Sequence, residues 1–493
     1  MYKNIRERCI FAHITMKEIR DRDFLFLTLC AAPYLRSERL LSAGVYTILT
    51  FVEPSASVSS SRSSKNIQIC TVREKMNDEN ARCAYDGEEY AQLSLLQLPV
   101  EMFLHICSFL DASTLVHSLS LVCKQFYQIL KDDDLLWKAR IDHILPNASH
   151  SLLCPERPDN FWKLSCVAIE KQTALWKQQN SMENLRFPDL CKNANSVLLM
   201  PVDGITYLVG MKDCNLFCKK LSYREEPFYE VKALWRSAFG IESLTAINHT
   251  VYHSCPDHTV KSWVLTNTGL VHDRTYDPDP KCDLMIASAD STRCMSSCPE
   301  QARFAIGVYD GTIYVYDSRS SSNKPISQYQ PKHASVTNLA MNAEYILSAC
   351  CDGPVSIWDQ RAGRIMKSIT IPDSIRFPIP EKAYPTYIDM RRDLVCVGDN
   401  TGNLHMLEPK NDFELVKSYS TEHTDEITGV RLTHGCLITS SLDGTVIISS
   451  PTDPPKLIAT LEDEYIFSMD YLNDTLAIAG KSLVVWRPRN RRV

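Results

Sequence analysis

The sequence predicts a multidomain chain: a small all-α domain near residue 100, then an all-β propeller of seven blades, preceded by a disordered N-terminal segment. Three observations carry this reading. Apolar residues recur with helical spacing after Pro99. From about residue 194 a hairpin-turn residue stands six positions ahead of an aromatic or its replacement, over and over, at a mean spacing of about 44 residues. Within the first 90 residues, a Ser-rich stretch (55–64) and a polar run (Glu74 to Glu89) lack apolar periodicity.

Residues 1–90 are expected to be disordered. Ser-rich residues 55–64 and the polar run Glu74 to Glu89 offer no apolar face to bury. Two short apolar stretches, 24–29 and 45–52, are long enough only for local helix or strand. Met76, which leads smoothly into the following domain, is a candidate natural start, with the first 75 residues then lying upstream.

Residues 91–140 form the helical domain. Pro99 suits a first helical turn, where a missing N–H costs nothing. Val100, Phe103, Leu104 and Cys107 then fall on one helix face. Met102, Ile106 and Phe109 make a second apolar stripe. A small bundle needs one such stripe for its core, so the second is further core or a surface for another protein. Asp132-Asp133-Asp134, ahead of Leu135 and Trp137, reads as a helix N-terminus favoured by the helix dipole.

Residues 141–193 continue the helical texture through Phe161, Trp162, Leu164, Val167, Ile169 and Trp176, and are read as a helical linker ending in a propeller-closing strand. Residues 194–493 are the propeller. Its turn positions are Asp213, Asp257, Asp310, Asp352, Thr401, Asp443 and Gly480, six before Lys219, Trp263, Tyr316, Trp358, Leu407, Ser449 and Trp486. Seven copies at this period are the signature of four-stranded blades. The last copy supplies only three strands before Arg-Pro-Arg-Asn-Arg-Arg-Val. An open edge there would template aggregation, so a segment within 185–195 is expected to pair as the missing outer strand.

Residues 94–137, SLLQLPVEMFLHICSFLDASTLVHSLSLVCKQFYQILKDDDLLW, resemble an F-box over about 45 residues. The matching positions are Leu98-Pro99, Ile106, Leu110, Leu119, Val122-Cys123-Lys124, Phe126 and Leu136-Trp137. In that family this region docks on the small adaptor of SCF-type cullin–RING ubiquitin ligases. The resemblance therefore implies Leu98, Pro99, Met102, Ile106, Phe109 and Val122 as adaptor contacts. The later repeats resemble WD repeats, fullest in SACCDGPVSIWD, where His333, Ser348, Asp352 and Trp358 would form the structural hydrogen-bonded tetrad. In the sixth repeat His423, Thr439 and Asp443 are present and Ser449 replaces the tryptophan. An F-box plus a seven-bladed WD-repeat propeller is similar to the F-box/WD-repeat receptors of SCF ligases. That implies adaptor, cullin and a protein substrate as partners, no cofactor, and a chain that is not itself an enzyme. Two alternatives stay open. Trp358-Asp359-Gln360-Arg361 is a WDxR sequence, found in receptors of cullin-four ligases, and a non-degradative scaffold would show the same domains.

Bulk properties narrow the function classes. The chain is 44% apolar and 23% charged and has no run of eighteen apolar residues; the best candidate, Phe24 to Leu35, is too short to span a membrane. Residues 1–75 carry a net +5 and the rest −11, which argues against a basic nucleic-acid-binding face. Nineteen cysteines without a C-x-x-C read as reduced thiols in a soluble, intracellular protein, cytoplasmic or nuclear. No phosphate-loop, dinucleotide, zinc-protease or nucleophile-elbow motif is present. Of the residues preceding the hairpin aspartates (Lys212, Pro256, Tyr309, Cys351, Leu442) only Lys212 is basic. An arginine cage for phosphate is therefore missing, and substrate is expected to be read by apolar and hydrogen-bonding contacts. The rim and the connection Pro372 to Pro385, with Arg376, Phe377 and Tyr384, are the candidate surface.

Overall fold

A computed structural model describes residues 26–31, 45–50, 68–73, 99–131, 134–144, 161–178, 181–187, 194–212, 215–222, 228–231, 243–254, 259–266, 269–276, 292–331, 334–373, 382–391, 394–433 and 435–489. The chain divides into two compact units, Met1–Asp133 and Asp134–Val493.

In the first unit, β1 (Phe26–Ala31), β2 (Val45–Thr50) and β3 (Gln68–Arg73) pair as an antiparallel three-stranded sheet. The first two fall on the apolar stretches singled out in the sequence; the third was not anticipated. The other residues of 1–90, expected to be disordered, lie outside the described residues. The helical module follows. In α1 (Val100–Cys107), Pro99 is the N-cap, and its carbonyl accepts from the N–H groups of Met102 (3.0 Å) and Phe103 (3.1 Å). Asp111 caps α2 (Ala112–His117), accepting from the Thr114 N–H at 2.7 Å, which satisfies a first-turn donor. A 3-10 turn, Leu119–Leu121, leads to α3 (Lys124–Lys131). Leu119 thus belongs to the turn, and Val122 and Cys123 precede α3. Phe103 stacks on Phe126 at 4.5 Å, and with buried Cys107, Leu115 and Leu130 they make the module's core.

The second unit opens with α4 (Asp134–Ile144) and α5 (Phe161–Lys177), joined by an Arg140–Glu170 ion pair at 2.7 Å and by Lys138 over the Trp162 ring. Asp134 begins α4, as the acidic run predicts. The residues named as closing the F-box, Leu136 and Trp137, lie on this helix and so cluster with the second unit.

The β-rich region is a ring of seven antiparallel four-stranded sheets, as the repeat spacing predicts. The blades span residues 196–231, 244–276, 292–329, 336–370, 385–420, 427–462 and 466–488. Each repeat's predicted aromatic or replacement, from Lys219 to Trp486, falls on the third strand of its blade. Seven apolar clusters lie between successive blades. One of them joins blade seven (Ala477, Ala479, Leu483, Val485) to blade one (Val197, Leu199, Leu208, Phe217), which closes the ring.

The outer strand of blade seven is β4 (Met182–Phe187), pairing antiparallel with Leu483–Pro488. It begins three residues before the expected 185–195 window. The offset has a local cause. Arg487 Nε donates to Glu183 Oε2 (3.0 Å), and Arg489 reaches the Met182 carbonyl through Nε (3.0 Å) and the Ser181 carbonyl through its N–H (2.9 Å), fixing the register from β4's beginning. The helix ahead of it is anchored too. Trp176 and Met182 are buried in the cluster between blades six and seven. Gln172 Oε1 accepts from Thr433 Oγ1 (2.7 Å) and the Gly435 N–H (2.9 Å), and Lys171 pairs with Asp474 at 2.6 Å.

Candidate binding surfaces

The first candidate surface lies on the helical module. Of the first stripe of α1, Phe103 and Cys107 are buried and Leu104 half-buried, whereas Val100 is exposed, contrary to a purely inward face. Of the second stripe, Met102 is 45% and Phe109 41% exposed, and Ile106 is half-buried. Pro99 is exposed and Val122 is 37% exposed. The alternative that the second stripe is core does not hold for Met102 and Phe109. Leu98 lies outside the described residues. Leu121, 74% exposed, and Tyr127, 44%, are apolar surface that the sequence reading missed. Their signal was available: each sits within five residues of Val122, off the buried Leu119–Phe126–Leu130 line.

The second surface is the ring. A channel of about 1230 Å³ is lined by the innermost strand of every blade. Within each blade, connections alternate between the two ends of the ring because the strands are antiparallel. The hairpin turns carrying Asp310, Asp352, Thr401 and Asp443, and the connections between blades, therefore share one end, called the mouth here. Tyr384 lies there, half-buried and lining the channel. Its N–H donates to Asn400 Oδ1 (2.8 Å), and its carbonyl accepts from the Asn400 N–H (3.1 Å). Arg376 and Phe377 lie outside the described residues.

Polar side chains stitch the channel wall from blade to blade. Ser296 Oγ accepts from Met341 N–H (3.1 Å), Asn338 Oδ1 from Ile388 N–H (3.1 Å) and Asp389 Oδ2 from Leu432 N–H (3.2 Å). Asp470 Oδ2 accepts from Leu199 N–H (2.8 Å), carrying the pattern across the seam from blade seven to blade one. Arg431 lies between Asp389 Oδ1 (3.0 Å) and Asp470 Oδ1 (3.2 Å), linking blades five, six and seven. The sequence reading missed this set. Its trace was a charge late in an otherwise apolar inner strand, in IDM, GVRL and SMDYL.

The tetrad residues are brought together unevenly. In blade four, Ser348 is buried with its Oγ 3.5 Å from the Ser356 carbonyl, and Trp358 stacks on Tyr329 at 4.1 Å. Asp352 stands in the hairpin turn, and His333 lies outside the described residues. In blade six the network is complete without tryptophan: His423 contacts Thr439 Oγ1 (2.8 Å), Thr445 Oγ1 (2.9 Å) and Asp443 Oδ2 (3.3 Å). Burial opposes ionisation of Asp443. Hydrogen bonds from His423, Thr445 and the Thr424 N–H outweigh it and hold the carboxyl well below the usual range. Blade five carries a network the sequence reading missed. Asp399, fully buried, accepts from Thr401 N–H, Asn403 N–H and His405 Nε2 at 2.9, 2.7 and 3.1 Å. The six-residue spacing pointed to Thr401, two residues past the aspartate that organises the turn.

WDxR has a local task. Asp359 Oδ1 accepts from the N–H groups of Arg361 (2.8 Å) and Ala362 (2.9 Å), closing the turn to the outer strand, and Arg361 is exposed. Among the described residues, no group of three His, Cys, Asp or Glu side chains could hold a metal ion, and no helix is long and apolar enough to cross a membrane.

An F-box-like family model matches residues 95–141, from before α1 through most of α4. Human F-box/WD repeat-containing protein 9 is 26% identical over 461 residues, covering 90% of this chain and 93% of its own length. The protein of the same name from Bos taurus is 27% identical over 82% of this chain and 85% of its own. Over most of its length this chain is similar to F-box/WD-repeat proteins. F-box/WD repeat-containing protein mec-15 of Caenorhabditis elegans is 20% identical over 66% of this chain and 77% of its own length. The family's two parts thus correspond to the helical module with its exposed apolar stripe and to the closed seven-bladed ring.

Proposed function

We propose that this chain is the substrate-recognition subunit of an SCF-type ubiquitin ligase. The helical module docks on the adaptor, the adaptor brings the cullin, and the ring holds the protein to be ubiquitinated for degradation. The observation that carries the reading is the exposure of Met102 on α1 and of Phe109 just past its C-terminus, while the helix already supplies the core through Phe103 and Cys107. Large apolar side chains left exposed on one small module mark an interaction site. The mechanism is proximity: substrate and conjugating enzyme share one assembly, so ubiquitin is presented at high effective concentration and no residue of this chain touches the reaction.

The test is capture of the SCF adaptor by the full chain and by Met102→Glu/Phe109→Glu. Both positions are exposed, so folding should survive, which circular dichroism and melting verify. Apolar anchors at an interface centre contribute about 2 kcal/mol or more each, so the double variant should lose the adaptor. Unchanged capture would remove the assignment.

A further inference from the structure

Over blades five to seven the channel mouth combines apolar and acidic surface. Tyr465 is 57% and Phe467 44% exposed, large values for aromatic side chains in a closed ring. Phe467 lines the channel together with half-buried Leu442. The connections flanking them carry Glu422 and Asp425 between blades five and six, and Asp463 and Glu464 between blades six and seven. The backbone holds both connections on the hairpin turns. The Leu442 N–H donates to the Glu426 carbonyl (3.1 Å) and the Asp463 N–H to the Gly444 carbonyl (2.8 Å). Among the described residues, the cation ion-paired on this arc is Lys481, held by Glu464.

We infer that this arc of the mouth docks a basic segment of a partner protein in which Lys or Arg alternates with apolar side chains. The inference rests on the proposed receptor reading and names the class of protein segment the ring holds. Apolar side chains would cover Tyr465, Phe467 and Leu442, and the cations would face Glu422, Asp425 and Glu464, with Tyr465 offering a ring face to a cation. Charge decides the occupant. A phosphorylated or acidic segment would meet carboxylates on both connections, whereas a neutral apolar one would offer no cation to Glu422 and Asp425. An extended peptide suits the geometry because its alternate side chains point opposite ways, towards the channel and towards the rim.

The test uses the full chain and three labelled peptides by fluorescence anisotropy: Lys-Leu-Arg-Phe repeats, Glu-Leu-Asp-Phe repeats and Lys-Ser-Arg-Ser repeats. The first should bind, more weakly as salt rises because the pairs are exposed. The other two should bind at least tenfold more weakly. Glu422→Lys/Glu464→Lys and, separately, Tyr465→Ser/Phe467→Ser should each weaken the first peptide about tenfold or more, whereas Glu344→Lys, in a turn at the opposite end, should not. Equal binding of the acidic peptide, unchanged binding by both double variants, or equal weakening by Glu344→Lys would overturn the inference. Adaptor capture measured on the same preparations separates the two readings. Retained capture with no peptide preference refutes this inference alone, whereas peptide preference without adaptor capture supports it and refutes the SCF assignment.

Discussion

Replacing Asp470 by alanine should loosen the ring at its seam. One carboxylate oxygen accepts from the Leu199 N–H of blade one at 2.8 Å, and the other receives Arg431 of blade six at 3.2 Å. Alanine leaves the N–H of Leu199, a buried residue, without its acceptor, at a cost of about 1–3 kcal/mol. The lost ion pair adds less. Arg431 keeps Asp389 at 3.0 Å and is 29% exposed towards the channel, so about 1 kcal/mol or less is at stake there. The expected loss is about 1–4 kcal/mol. Asp470→Asn keeps an acceptor for Leu199 and should recover roughly half. Native-state hydrogen exchange at the Leu199 amide is the assay. At tenfold per 1.4 kcal/mol, exchange should accelerate between about fivefold and several hundredfold in the alanine variant, and less in the asparagine variant. Equal acceleration in both would mean that charge, and not the hydrogen bond, carries the seam. No acceleration in either would refute the seam lock.

Trp176→Ala should cost about 3–5 kcal/mol, because the indole is 1% exposed in the cluster between blades six and seven; an unshifted thermal transition would show that α5 does not support the ring. Acid should act through Asp443. Its folded-state pKa is depressed, so its stabilisation is fully present above the ordinary carboxylate value of about 3.9 and is lost as pH falls through the folded value. Asp443→Asn should be less stable at pH 7 and converge on the unsubstituted chain below about pH 4 in denaturant titrations; a gap that persists unchanged into acid would contradict this. Among the described cysteines, exposed Cys351 should react first with maleimide in the native protein. Cys166, Cys218 and Cys436, whose thiols burial pushes up to about 12, should wait for unfolding, and mass spectrometry of the labelled peptides would reveal any other order.

The ring was legible because a propeller writes the same hairpin seven times, so a weak signal such as Asp213 or Gly480 gains weight from its phase with Asp352 and Asp443. The helical module was legible for a different reason: residues 94–137 match the F-box pattern at spaced positions from Leu98-Pro99 to Leu136-Trp137, whereas the two stripes alone left the second one open between core and surface. The channel clamp of Asp389, Arg431 and Asp470 was not, since its members stand about forty residues apart and meet only after three blades have closed. Asp399 escaped because it ends the second strand of its blade, two residues before the turn position that the six-residue spacing reads. The start of β4 depended on arginine contacts from the chain's far end, which no local pattern carries. Arg376 and Phe377 lie outside the described residues; Tyr384, which is described, takes a place at the mouth.

The central claim is that one chain bridges an adaptor and a bound protein, and a sequential capture tests it directly. The adaptor is immobilised, the full chain is loaded on it, and a basic, apolar partner segment fused to a reporter is applied. The reporter should be retained with the unsubstituted chain. It should be lost, together with the chain itself, for Met102→Glu/Phe109→Glu, and lost alone for Tyr465→Ser/Phe467→Ser. Retention of the chain on the adaptor that excludes every ring-bound protein, or a reporter that stays after the chain has been lost, would contradict the bridge.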